Sequence, residues 1–177
     1  VVGSDRVRYT FIAADCGNQP RTDNGQRQRF ENAFPNLIRC EWSITADATN
    51  RYNCIAWSVG ITDRWIWLEV DSQWGNNNGI LEVTDFDAFY RNFGYELTTN
   101  INDAEILLYR DHSQANRTNP QGITHAARLR RCNCGLGRWI MFESKCGALE
   151  RIEHRRDQLN GGVYGVPFRY YKQRRGY

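Results

Sequence analysis

The stretch Tyr52-Asn53-Cys54-Ile55-Ala56-Trp57-Ser58-Val59-Gly60 sets the tightest constraint on the fold. Asn53 is a good helix N-cap, and Gly60 stops the helix within two turns. Ile55, Ala56, Trp57 and Val59 make that helix apolar on nearly every side. A helix that is apolar all round has no solvent face, so it is expected to be central and buried. The rest of the chain must supply its cover. With 177 residues, 41% of them hydrophobic and 13% aromatic, the chain suits one well-packed domain and not a disordered segment.

The same helix carries a chemical signal. Cys54 stands at its start, and far downstream comes Thr124-His125-Ala126-Ala127-Arg128. A thiol is a good nucleophile only as thiolate, and a helix N-terminus and a nearby His both favour that form. The pairing points to attack of sulfur on a carbonyl. Residues Ile123–Leu129 read as a strand in which period two places Ile123, His125, Ala127 and Leu129 on one face. Residues 138–144 read as the next strand of an antiparallel hairpin, across an Arg/Cys/Gly loop. It offers Glu143 and Ser144 on opposite faces, and one of these is expected to orient His125. The hairpin register decides which, and the loop chemistry leaves it open. The oxyanion is expected to meet the Cys54 backbone N–H together with a neighbouring amide or the Asn53 side chain.

Other side chains have competing readings. Lys145 is one of two lysines in the chain. It either binds a substrate carboxylate or oxyanion, or caps a strand end at the surface. Trp57, Trp65, Trp67 and Trp74 either wall a cleft or fill the core. Residues 149–159 read as a short helix, and His154, which ends the block Leu149–His154 and is followed by two Arg, reads as a helix C-terminal cation. His112 reads as exposed in a polar loop.

Along the rest of the chain, residues 6–13 read as an extended piece and 26–34 as a short helix. Turns are expected at 17–20, 23–25 and 75–79. Thr84 and Asp87 are expected to form the capping box of a helix whose stripe is Phe86, Phe89, Tyr90 and Phe93, with Gly94 as its stop. Residues 95–97, 105–109 and 166–171 read as further strands, with Gly161-Gly162 as a breaker. The fold class expected is α+β, an antiparallel sheet with helices packed on one side. One domain over 1–177 divides into an N-terminal extension or subdomain at 1–48, a core at 49–172 and a basic tail at 173–177.

The six cysteines are 16, 40, 54, 132, 134 and 146. If Cys54 is a nucleophile, at least one more is expected to be free. Cys132 and Cys134, with Cys146 or His154, fit no common zinc spacing, so no metal is expected. No organic cofactor is required. Net charge is +3, and 21 of the 23 basic residues are Arg. An Arg-rich surface can dock an anion. Nucleic acid is nevertheless not the partner expected, and no apolar run reaches the length of a membrane span. Asn116-Arg117-Thr118 is a glycosylation sequon, meaningful in a secreted eukaryotic protein. Val1 in place of Met is read as a processed end or a cut from a longer chain. Compartment and oligomeric state are left open, the effector part of a secreted protein being one reading.

Several blocks together resemble an uncharacterised bacterial domain family. They are Asn53 to Trp57 followed by Thr62 to Trp65, then Thr124 to Arg128, then Ser144 to Gly147, Leu149 to His154, and Gly161 to Gly165. The resemblance covers roughly residues 50–172 and implies a domain, not an activity. Cys146 and the Cys132/Cys134 loop depart from it. The order of Cys on a helix, His on a strand and a polar residue on the following strand is similar to papain-like cysteine hydrolases. It implies a hydrolase or acyltransferase acting on a peptide or protein amide. The competing function is a non-catalytic module that binds an anionic partner through arginine.

Overall fold

The structure is a computed structural model and describes residues 24–130 and 140–175. Its helices are α1 (Asn24–Ala33), α2 (Cys54–Ser58) and α3 (Val83–Asn92). Its strands are β1 (Ser43–Ala46), β2 (Tyr95–Thr98), β3 (Ile106–Arg110), β4 (Ile123–Leu129), β5 (Met141–Lys145), β6 (Arg151–Arg155) and β7 (Val166–Gln173). They form one antiparallel sheet in the order β1-β6-β5-β4-β3-β7-β2. The class is α+β. The extended piece expected at 6–13, the turn at 17–20, Cys16, Cys132 and Cys134 lie outside the described residues.

Both faces of the sheet are covered, which corrects the expectation of helices on one side. β3 reads Ile-Leu-Leu-Tyr-Arg, and its first four residues are fully buried. Ile106 and Leu108 pack with Ala126, Ile55 and Ala56 of α2, and Phe86, Phe89 and Tyr90 of α3. Leu107 and Tyr109 pack on the other face with Ala127, Phe142, Ile152, and Phe30 and Phe34 of α1. A strand buried on both faces needs apolar side chains at every position, and this one has them. Residues 24–46 are part of this core: α1 closes one face and β1 pairs with β6.

Two local expectations are corrected. α3 starts two residues earlier than Thr84 suggests. Glu82 is its N-cap, and the Asp85 carboxylate accepts the Glu82 backbone N–H at 2.8 Å. Asp87 is taken by tertiary partners: Arg169 holds it bidentately at 2.7 and 2.5 Å, and the Tyr171 hydroxyl donates to it at 2.8 Å. Gly94 does end the helix, at φ +83°. The second correction is β6, a strand where a helix was expected. Its sequence Arg-Ile-Glu-His-Arg alternates, with Ile152 and His154 wholly buried and the charged Arg151, Glu153 and Arg155 at the alternate positions. Pairing on both sides, with β1 and β5, makes that period-two pattern decisive. No helix among the described residues is long and apolar enough to cross a membrane.

Candidate functional site

The α2 helix is set by Asn53. Its Oδ1 accepts from Ala56 N at 3.1 Å and from Ile66 N at 3.3 Å, and its Nδ2 donates to Ile66 O at 2.7 Å. One buried side chain thus caps the helix and ties residue 66 beside it. Those bonds engage Oδ1 and one of the two Nδ2 hydrogens, and the second hydrogen is the donor that the oxyanion role considered for Asn53 would use. The Cys54 thiol sits at the first turn, with the backbone N–H groups of Ala126, Ile55 and Cys54 directed toward it. They favour thiolate, yet burial outweighs them and raises the thiol above its ordinary value.

His125 projects from β4 on the face of Tyr109 and Ala127. It is 1% exposed, and neither ring nitrogen has a hydrogen-bond partner. Burial, and secondly His154, push its pKa well below the ordinary histidine value, so the ring is neutral at pH 7. The Tyr164 ring lies parallel to it, with centroids 3.9 Å apart and planes within 3°. Two contacts hold Tyr164 in place. Thr124 Oγ1 donates to the Tyr164 carbonyl at 2.6 Å. Gly165, at φ +75°, lets the chain turn against β3, where a Cβ would stand 2.1 Å from the Arg110 carbonyl oxygen.

Cys54 and His125 line one pocket of about 170 Å³. Asn53, Trp65, Ile66, Leu68, Phe86 and Tyr164 are among its other walls. β4 and β5 pair at Arg128↔Glu143 and Leu129↔Phe142, and among the described residues that pairing does not continue toward His125. The thiol reaches the Ala126 N–H at this opening. α2 packs on the face opposite His125, so the thiol and the imidazole reach the pocket from different faces of the sheet.

The register settles the orientation of the two candidate orienters. Glu143 stands across from Arg128, on the face opposite His125, within 3.8 Å of Arg130 and 3.9 Å of Arg151. Ser144 shares the His125 face, but its hydroxyl lies 2.8 Å from Nε2 of His154. His154 Nδ1 is 2.7 Å from the Arg155 carbonyl, so Nδ1 carries the proton and Nε2 accepts from Ser144. Neither Glu143 nor Ser144 bonds His125. His154 is therefore a buried strand residue, and burial lowers its pKa to about 4. The helix-terminal cation expected at this position is corrected.

Lys145 is neither a surface cap nor a free cation. Its ammonium donates to the carbonyls of Thr49 at 2.9 Å, Leu149 at 2.6 Å and Gly147, over the ring of Tyr52. Its three donors tie the turn at 147–149 to the loop before α2. Trp57 does not line the pocket. The guanidinium groups of Arg151 and Arg128 lie over its ring, 3.9 and 4.8 Å from the ring centre. Trp65 and Trp67 do line it, stacked with centroids 5.6 Å apart. Cys54 and Cys146 are free, and Cys40 is disulfide-bonded. The Cys146 thiol donates to the Ser144 carbonyl at 3.8 Å, and burial pushes its pKa up to about 12.

Sequence reasoning missed Tyr164 and Glu69 as pocket residues. Tyr164 carried a signal, a lone aromatic between glycines in one of the quoted blocks. Glu69 carried none, being one acidic residue in a loop.

An α+β sheet in which a helix-borne thiol and a strand-borne imidazole share a pocket defines the architectural class. Residues 43–172 match the family described as a domain of unknown function (DUF7689), and the chain belongs to that family. No curated protein and no solved structure matches the chain.

Proposed function

We propose that the protein is a cysteine-dependent hydrolase or acyltransferase acting on an amide, with Cys54 as nucleophile and His125 as base. The observation that carries this reading is that the thiol and an imidazole with both nitrogens unengaged line the same pocket. An unpartnered buried polar group costs stability, so its retention here fits a group awaiting a reacting partner. The order of a Cys helix before a His strand supports a papain-like layout.

The two pKa directions make the resting pair neutral, thiol and imidazole, not thiolate and imidazolium. Proton transfer then accompanies attack. The Cys54 proton moves to a His125 nitrogen as the S–C bond forms, and the backbone N–H groups beside the thiol receive the oxyanion charge. Collapse breaks the C–N bond, and the imidazolium gives its proton to the departing amine. Water or a second amine resolves the thioester. Tyr164 packs His125 in place, the positioning that a carboxylate supplies in other triads.

The arginine-docking alternative has less support. Arg29, Arg39, Arg64 and Arg169 pair with carboxylates, and Arg128 and Arg151 stack on Trp57. The test is mass spectrometry after incubation with an activated acyl ester, 4-nitrophenyl acetate. An acetyl group is expected on Cys54, lost in Cys54→Ala and strongly slowed in His125→Ala. Acetylation of Cys54 at the same rate without His125 would overturn the mechanism.

A further inference from the structure

We propose that this pocket recognises a compact apolar group carrying one cationic N–H donor, and that Glu69 selects it. Size comes first. A pocket of about 170 Å³ holds one ring or branched aliphatic group, since an apolar cavity of roughly 150 Å³ accommodates benzene. Wall chemistry comes second. Trp65, Ile66, Leu68, Leu81, Phe86 and Ile123 line it with apolar surface, which favours a ligand of the same kind.

Glu69 is the one acidic residue among the side chains that line it. Its Oε2 is buried and has no hydrogen-bond partner, and no cation among the described residues pairs with its carboxylate. Arg64, a few residues away in sequence, is occupied by Asp63 and the face of Trp74. A carboxylate only accepts hydrogen bonds, and one with a buried, unpartnered oxygen gains most from a charged donor. An anionic ligand is disfavoured at such a wall, and a neutral donor would compensate the charge less. Trp67, 50% exposed and stacked on Trp65, adds an aromatic face suited to an ammonium group.

For the substrate, this rests on the Cys54–His125 reading. The amide attacked would belong to a molecule in which an apolar side chain stands beside a free ammonium group. Binding itself does not rest on that reading, so it is measured in Cys54→Ala by NMR titration at pH 7. The probes are benzylamine, benzyl alcohol and benzyltrimethylammonium. Benzylamine is expected to bind at least about tenfold tighter than benzyl alcohol, and Glu69→Gln to remove most of that difference. Benzyltrimethylammonium keeps the charge without an N–H and is expected to bind more weakly than benzylamine. That comparison decides the matter even if Glu69→Gln fails to fold. Equal affinity for amine and alcohol, equal affinity for the two cations, or an amine preference that survives Glu69→Gln overturns the proposal. Such a result leaves acylation of Cys54 intact, and absent acylation leaves the binding result intact.

Discussion

His125 and His154 stand on the same face of one sheet, both buried and both held neutral by desolvation. They differ in partners. His154 spends both nitrogens, one on the Arg155 carbonyl and one on Ser144. His125 spends neither and borders the pocket of Cys54. Burial sets the protonation state of each, but hydrogen bonding separates a ring that holds strands together from a ring available for chemistry. The same contrast separates Lys145, caged by three carbonyls, from Glu69, whose buried oxygen has no partner.

The sharpest way to break the comparison is through activity. Cys54→Ala is expected to abolish acyl transfer, about 10³-fold or more, with little change in melting temperature. His125→Leu is expected to lower acylation by roughly 10²- to 10⁴-fold, the span of general-base catalysis, while stability holds or rises. Its unpartnered nitrogens leave nothing behind when removed. His154→Leu should do the opposite. It leaves Ser144 without a partner and costs about 1–3 kcal/mol by denaturant titration, with acylation kept in the folded fraction. Equal stability losses in the two variants would erase the distinction.

A pH series sharpens it next. A histidine held at about 4 in the folded chain and near 6.5 when unfolded binds more protons in the unfolded state. Its contribution is complete above pH 6.5 and is lost as pH falls from 6.5 toward 4. The loss from His154 amounts to about 3 kcal/mol at 1.36 kcal/mol per pH unit. His125 acts in the same direction. Melting temperature should therefore drop through this window, and less steeply in His154→Leu. An unchanged slope would show that the ring does not titrate as placed. The smallest effect expected is Asn53→Ala, which removes the α2 cap and the Ile66 tie for about 1–2 kcal/mol. Acylation should fall alongside, since the thiol rides on that helix.

Much of the local structure was legible. Asn53 as cap, Cys54 at the helix start, Gly94 as a stop and His125 on a strand face with Ala127 all follow from short-range rules. β6 was misread because Leu149–Leu159 contains enough apolar residues for a helix, and only its neighbours β1 and β5 favour the extended form. The α3 cap was misread because Asp87 fits a capping pattern while Arg169 and Tyr171, far along the chain, claim it.

The amino-acid order alone determined the chemistry on offer: a thiol on a buried helix, an imidazole on a later strand, and two polar candidates one residue apart. Tertiary structure decided what each does. It placed Glu143 away from His125, gave Ser144 to His154, laid Tyr164 over the imidazole and brought Glu69 to the pocket. It also set the direction of both pKa shifts. Desolvation and hydrogen-bond satisfaction depend on which distant residues close around a group, and short-range patterns carry no record of that.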